Sequence, residues 1–241
     1  MKQTFVYIHG AMGSAHDLDF VKPIVEAAGH NLVTFDLPAH GMDNTPCKEV
    51  QLQHYIDATK KVVEAQDGQV ILLAHSFAGI TATKVANDLA DKVKAVVYIC
   101  AFVPQDGESM MMLAQQDKES LLGGILQYNV EANEATLPVP SDAAWEVLAN
   151  DATPEIKTML AANPPKAEPL SPMGTPVSLT GNIERVKKYY IHTKLDRTIS
   201  FNFQEWMTGR TKFITQYTLE TAHMPFLTQP QQLAEIILKI N

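Results

Sequence analysis

The chain has 241 residues, 46% hydrophobic and 19% charged, with a formal net charge of −8. That size suits one large α/β domain or two small ones and buries roughly 70 to 75% of the unfolded surface, so no disulfide or structural metal is needed for stability. Lacking basic clusters beyond pairs such as Lys60-Lys61 and Lys187-Lys188, the sequence argues against nucleic acid as a partner, and no stretch reaches the ~20 apolar residues of a membrane span.

The N-terminal apolar run, Phe5 to Ile8, is too short for a signal-peptide core. Cys47 and Cys100 have no Cys or His at metal-ligand spacing, and two free thiols suit a reducing compartment. A soluble, cytoplasmic protein without a metal is the expectation.

In chain order, short β-branched and aromatic runs alternate with segments of helical period, the pattern of a mostly parallel sheet with helices on both faces. The first expected strand is Thr4 to Ile8, followed by the turn His9-Gly10-Ala11-Met12-Gly13. The second covers Asn31 to Phe35 and enters Asp36-Leu37-Pro38-Ala39-His40-Gly41, where Asp36 reads as a structural turn residue. Val50, Leu52, Ile56, Thr59 and Val63 then mark the buried stripe of a helix. Strands are expected over Gln69 to Ala74 and Val93 to Cys100.

From about Gln105 to Arg185 the alternation fails, and eight of the fourteen prolines fall between Pro138 and Pro176. We read residues 105–185 as an inserted cap, helical around Ser109 to Tyr128 and Ala143 to Ala162, on a core formed by residues 1–104 and 186–241. Met110, Met111, Met112, Met159 and Met173 lie along it. Filling the cap's own small core is their ordinary use, and contact with an apolar ligand is the alternative. The core resumes with strands at Val186 to His192 and Lys212 to Leu219, separated by a helical run from Ser200 to Met207. A final helix carries Leu233, Ile236, Ile237 and Ile240 at helical spacing.

The chemistry centres on Ala74-His75-Ser76-Phe77-Ala78-Gly79, an apolar strand entering a small-residue turn and then a helix. This is similar to the nucleophile elbow G-x-S-x-G, in which a strained turn lifts the serine hydroxyl above the sheet. Both flanking glycines are alanine here; the alternative for Ser76 read alone is a helix cap, and the elbow is favoured over it. A serine nucleophile needs a base and a group that orients it. Of the two histidines after Ser76, His192 lies within a strand, whereas His223 sits in a loop after the last strand, at the carboxyl edge where a base is needed. Asp196 occupies a similar loop and is favoured as the acid over Asp106, whose Pro-Gln-Asp-Gly setting is an ordinary turn signal. Backbone N–H groups of Ala11 and Phe77 are assigned as oxyanion donors. His16, His30, His40, His54 and His75 show no metal-ligand spacing.

In the order in which they occur, Phe5-Val6-Tyr7-Ile8-His9-Gly10-Ala11, Glu26-Ala27-Ala28-Gly29-His30, Ala74 to Gly79, Ala101-Phe102-Val103-Pro104, Phe203 to Met207 and Ala222-His223-Met224 resemble the plant-type methyl esterase and hydroxynitrile lyase branch of the α/β hydrolases, with related bacterial esterases. The resemblance spans nearly the whole chain. It implies the α/β-hydrolase fold with a helical cap, a triad of Ser76, Asp196 and His223, donors at Ala11 and Phe77, no cofactor and often a homodimer. The lyases of this branch carry threonine at the position of Gly10 and lysine at that of Met224, both in the substrate pocket. The expected function is hydrolysis of small, largely apolar carboxylic esters through an acyl-enzyme. The alternatives are a hydroxynitrile lyase and a non-catalytic small-ligand receptor on the same fold.

Overall fold

The computed structural model describes residues 2–240. The first part of the chain runs through β1 (Thr4–Ile8), α1 (Lys22–Ala27), β2 (Asn31–Thr34), α2 (Leu52–Glu64), β3 (Val70–His75), α3 (Ala78–Asp88) and β4 (Val93–Ile99). Short elements follow: α4 (Met110–Ala114), β5 (Gln127–Asn129), β6 (Glu134–Thr136), α5 (Asp142–Leu148), α6 (Pro154–Ala162), β7 (Glu168–Pro169) and α7 (Leu170–Gly174). The chain ends with β8 (Lys187–Thr193), α8 (Phe201–Thr208), β9 (Thr215–Leu219), α9 (Pro225–Thr228) and α10 (Pro230–Ile237).

Six strands form one sheet in the order β2-β1-β3-β4-β8-β9, every neighbouring pair parallel. Both faces are covered at its centre, so β1, β3 and β4 read as nearly continuous apolar runs, whereas the edge strand β9 is largely exposed. Alternate residues nevertheless divide between two layers. Phe5, Tyr7, Ile71, Leu73, Val97 and Ile99 pack with Val25 of α1 and Leu233 and Ile237 of α10. Val6, Ile8, Leu72, Val96 and Tyr98 pack with Ile56 and Val63 of α2, Ile80 of α3 and Met207 of α8. The expected helix stripes are buried, from Val50 to Val63 and from Leu233 to Ile240.

Strand order reverses at β1, which lies between β2 and β3, and Ile8 is level with Ala74. The loops leaving β1 and β3 therefore emerge side by side at the carboxyl edge, the usual position of a crevice in such sheets.

Residues 105–185 differ from expectation in detail. The helix expected over 109–128 stops at Ala114, because the Asp117 carboxylate accepts from the N–H groups of Glu119 and Ser120 and turns the chain. The expected 143–162 helix is two helices, the second started by the Thr153 side-chain cap with Pro154 in its first turn. A small antiparallel sheet, β5-β6-β7, was not foreseen: strands of two or three residues are too short to show a period. Among the described residues no helix is long and apolar enough to cross a membrane.

Candidate active site

β3 ends at His75, and the next residue, Ser76, has φ of +53°. That left-handed conformation costs a non-glycine residue about 1–3 kcal/mol and persists only when neighbours enforce it. Here they do so by hydrogen bonds. Ser76 N–H donates to the Ile99 carbonyl at 3.2 Å, while its own carbonyl accepts from Gly79 at 3.2 Å and Phe102 at 3.1 Å. The alanines that replace the elbow glycines are accommodated, both buried. The close approach falls instead at Gly79, where a Cβ would lie 2.0 Å from the Phe102 carbonyl oxygen.

Asp196 lies in the turn after β8 and is buried. Its Oδ1 accepts from the N–H groups of Thr198 at 2.8 Å and Ile199 at 3.0 Å, and its Oδ2 from the Thr193 hydroxyl at 2.8 Å and the Gln204 amide at 3.3 Å. His223 lies between β9 and α9. Asp151 anchors that loop by accepting from the Thr221 hydroxyl and the Ala222 N–H. The His223 carbonyl accepts from His75 Nε2 at 2.8 Å, and burial followed by the neighbouring His223 keeps His75 neutral, well below the usual histidine range.

The structure brings the three groups together. His223 Nδ1 is 2.7 Å from Asp196 Oδ2 and its Nε2 is 2.9 Å from Ser76 Oγ. Because a carboxylate can only accept, the imidazole carries its proton on Nδ1, and Nε2 is left to accept from the serine hydroxyl.

The loop after β1 lies against this array. A Cβ on Gly10 would stand 2.7 Å from His75 Nδ1 and 3.0 Å from Ser76 Cβ, so the smallness of Gly10 serves contact with the elbow. Among the described residues, neither Ala11 N–H nor Phe77 N–H has an intramolecular acceptor. His9 holds the strand end: its Nε2 accepts from Leu37 N–H at 3.0 Å and its Nδ1 donates to the Gly10 carbonyl at 2.8 Å. Burial and then the nearby His40 push its pKa down to about 3.

Other sequence candidates lie apart. Asp106 is exposed and accepts from Leu179 N–H, and His192 lies in β8 bonded to Gln216. Asp36 accepts from Ala15 and Met42 N–H, as a turn residue would. Met224 is half-buried and packs against the layer beneath α1 and α10. Sequence spacing missed the supports around the array: Thr193, Gln204, Asp151 and His75. The signal for Thr193 and Gln204 was proximity in sequence to Asp196, but Asp151 reaches His223's loop only through the fold.

Among the described residues, His75, Cys100 and His223 have potential metal-ligand atoms within 4.8 Å of one another, a grouping that sequence spacing did not show. Their chemistry fits a metal poorly. Burial and then Asp196 hold the Cys100 thiol well above its usual pKa, disfavouring the thiolate a metal needs, and His75 Nε2 is engaged with the His223 carbonyl. A separate cleft of about 340 Å³ is lined by Thr83, Tyr98, Lys188, Met207 and Arg210 and contains none of Ser76, Asp196 or His223. Its cations are paired, Lys188 with Glu184 and Arg210 with Glu108.

The alpha/beta hydrolase family matches residues 5–236, and the chain belongs to it. Methylesterase 9 of Arabidopsis thaliana is 26% identical over 98% of this chain and 97% of its own length. A pyrethroid hydrolase of Sphingobium wenxiniae is 25% identical, over 96% of this chain and 85% of its own. The same fold is seen in the crystal structure of a pyrethroid hydrolase from Sphingobium faniae, with a TM-score of 0.85 at 23% identity, covering 99% of this chain and 96% of that one.

Proposed function

We propose that the chain is a serine carboxylesterase acting on small, largely apolar esters. The observation that carries this reading is the continuous hydrogen-bond path from Asp196 through His223 to Ser76, beside two N–H groups without acceptors. Ser76 Oγ attacks the acyl carbon as its proton passes to His223 Nε2, and Asp196 stabilises the imidazolium. The oxygen of the tetrahedral intermediate is held by Ala11 and Phe77 N–H, donors fixed before charge develops. His223 returns the proton to the departing alcohol, leaving the acyl group on Ser76, and then deprotonates the water that releases the acid.

The names of the curated relatives support an ester substrate. Glycine and methionine at positions 10 and 224 provide neither the hydroxyl nor the cation that would assist cyanide departure, which favours hydrolysis over cyanohydrin cleavage.

Methyl and p-nitrophenyl esters assayed beside mandelonitrile on purified protein test the reading. Esters should be turned over, Ser76→Ala should lose at least about 10³-fold in kcat, and a fluorophosphonate should label the parent but not the variant. Equal labelling of the variant, or a Ser76-dependent rate on mandelonitrile above that on every ester, would overturn it.

A further inference from the structure

One carboxylate in the inserted segment is wholly buried, and it reaches the loop that holds Ala11. Glu168, the first residue of β7, is 0% exposed and surrounded by donors from three other parts of the chain. Its Oε2 accepts from Met12 N–H at 2.8 Å and from His40 Nε2 at 2.8 Å, and its Oε1 accepts from the Tyr55 hydroxyl at 2.9 Å. A carboxylate satisfies all three donors; a carboxamide can keep the two N–H donors on its oxygen while the Tyr55 hydroxyl accepts from its N–H₂ group, so depriving Met12 N–H of its acceptor takes a side chain whose oxygens are absent or withdrawn.

The other two facts concern the loop and the counter-charge. Met12 has φ of +59°, and Gly13 N–H closes a turn onto the Gly10 carbonyl at 3.1 Å. Positive φ at the third residue of a turn is the type II arrangement, which glycine favours and methionine does not. Without an acceptor for Met12 N–H, nothing offsets the strain of positive φ at Met12, the Ala11–Met12 peptide is free to flip, and the loop that carries Ala11 loses its tether to the buried carboxylate. His40 is itself buried, and its Nδ1 faces the Pro38 carbonyl at 3.0 Å. Both ring nitrogens thus face acceptors, the arrangement of an imidazolium paired with Glu168. Burial works to lower its pKa, but the charge and hydrogen bond of Glu168 outweigh this and raise it.

We infer that Glu168 is a positioning residue for the oxyanion hole, a buried acceptor that tethers the Gly10–Gly13 turn and so fixes the place of the Ala11 N–H beside Ser76. The inference rests on the esterase reading, since it gives Ala11 its donor role. It also makes the inserted segment part of the machinery that stabilises the tetrahedral intermediate. The competing role is simple fastening of that segment to the core, and transition-state binding distinguishes the two.

The experiment compares the parent with Glu168→Met and Asn133→Ala. Asn133 ties the same small sheet to the core through the Cys47 carbonyl, accepts from the Ser171 hydroxyl of α7, and does not touch the loop. Glu168→Met should lower kcat about 10- to 100-fold, a fraction of what a donor in such a hole contributes, with KM within about threefold. Its affinity for an acyl trifluoromethyl ketone, which forms a tetrahedral adduct with serine, should fall by the same factor as kcat/KM. Asn133→Ala should lower Tm but leave kcat and ketone affinity within about twofold. If Glu168→Met does not accumulate folded, Glu168→Asp, which withdraws the oxygens by one methylene, carries the same expectation. A folded Glu168 variant with parental kcat and ketone affinity overturns the inference, as does an equal loss in Asn133→Ala. Ser76→Ala, assayed on the same ester, separates the two levels: its retained activity would refute the esterase reading whatever the Glu168 result.

Discussion

Replacing Asp196 by asparagine tests the proposed mechanism with little change of shape, and the surrounding donors dictate how the amide must sit. Oδ1 accepts from two backbone N–H groups that cannot move away, so the amide oxygen takes that place and the N–H₂ group falls at Oδ2, facing His223. The imidazole then has to accept at Nδ1 and carry its proton on Nε2, where it points at Ser76 Oγ and cannot act as a base. Inverting the tautomer in this way costs about 10⁴ in kcat where a triad operates, or about 5 kcal/mol of transition-state stabilisation. The assay is kcat on a p-nitrophenyl ester, with Asp106→Asn as the comparison. Asp106 is exposed and accepts only from Leu179 N–H, so its variant should stay within about twofold of the parent. Activity above one-tenth of parental in folded Asp196→Asn would refute the tautomer argument, and the reverse ranking would move the acid to Asp106.

Two further outcomes follow from the packing and from the buried histidine. Gly79→Ala drives a methyl group against the Phe102 carbonyl, a backbone group with no freedom to withdraw, and should cost about 3 kcal/mol or more; a Tm within 2 °C of the parent would show that the elbow has more room than described. His9 is neutral when folded, with its pKa near 3, and ordinary when unfolded. The unfolded state therefore binds the extra proton, and His9's stabilising contribution is lost as pH falls from about 6.5 towards 3, by about 2–3 kcal/mol between pH 6.5 and 4. Denaturant titrations of the parent and of His9→Gln over that range should show the shallower acid loss in the variant, and parallel curves would refute the assignment.

The four inner strands were legible because they are buried on both faces, and the edge strands β2 and β9 through their β-branched and aromatic residues, so the pattern located all six to within a few residues. Ser76, His223 and Asp196 were legible because this topology returns each strand's carboxyl end to one edge, which makes the loop after a strand a meaningful address. Glu168 was not. It sits in a Pro-rich stretch with no periodicity, and its partners, Met12, His40 and Tyr55, are more than a hundred residues away in sequence. His40 in particular read as one more histidine without ligand spacing, because its partner is set by the small antiparallel sheet, whose strands are too short to leave a pattern. Asp151 escaped for the same reason, as its carboxylate meets Thr221 only once β9 has been laid down beside β8.

On the proposed mechanism, the left-handed backbone at Ser76 places durability and chemistry in opposition at a single position. Glycine there would take the same φ of +53° without steric penalty, so a selection for thermal resistance alone, applied to a library of variants, would favour losing the hydroxyl. A programme to harden this enzyme should therefore hold residues 74–79 fixed and seek its gains elsewhere. The exposed surface of α6 is one such place, since none of that helix's residues is fully buried and none of its side chains takes part in the elbow's hydrogen bonds.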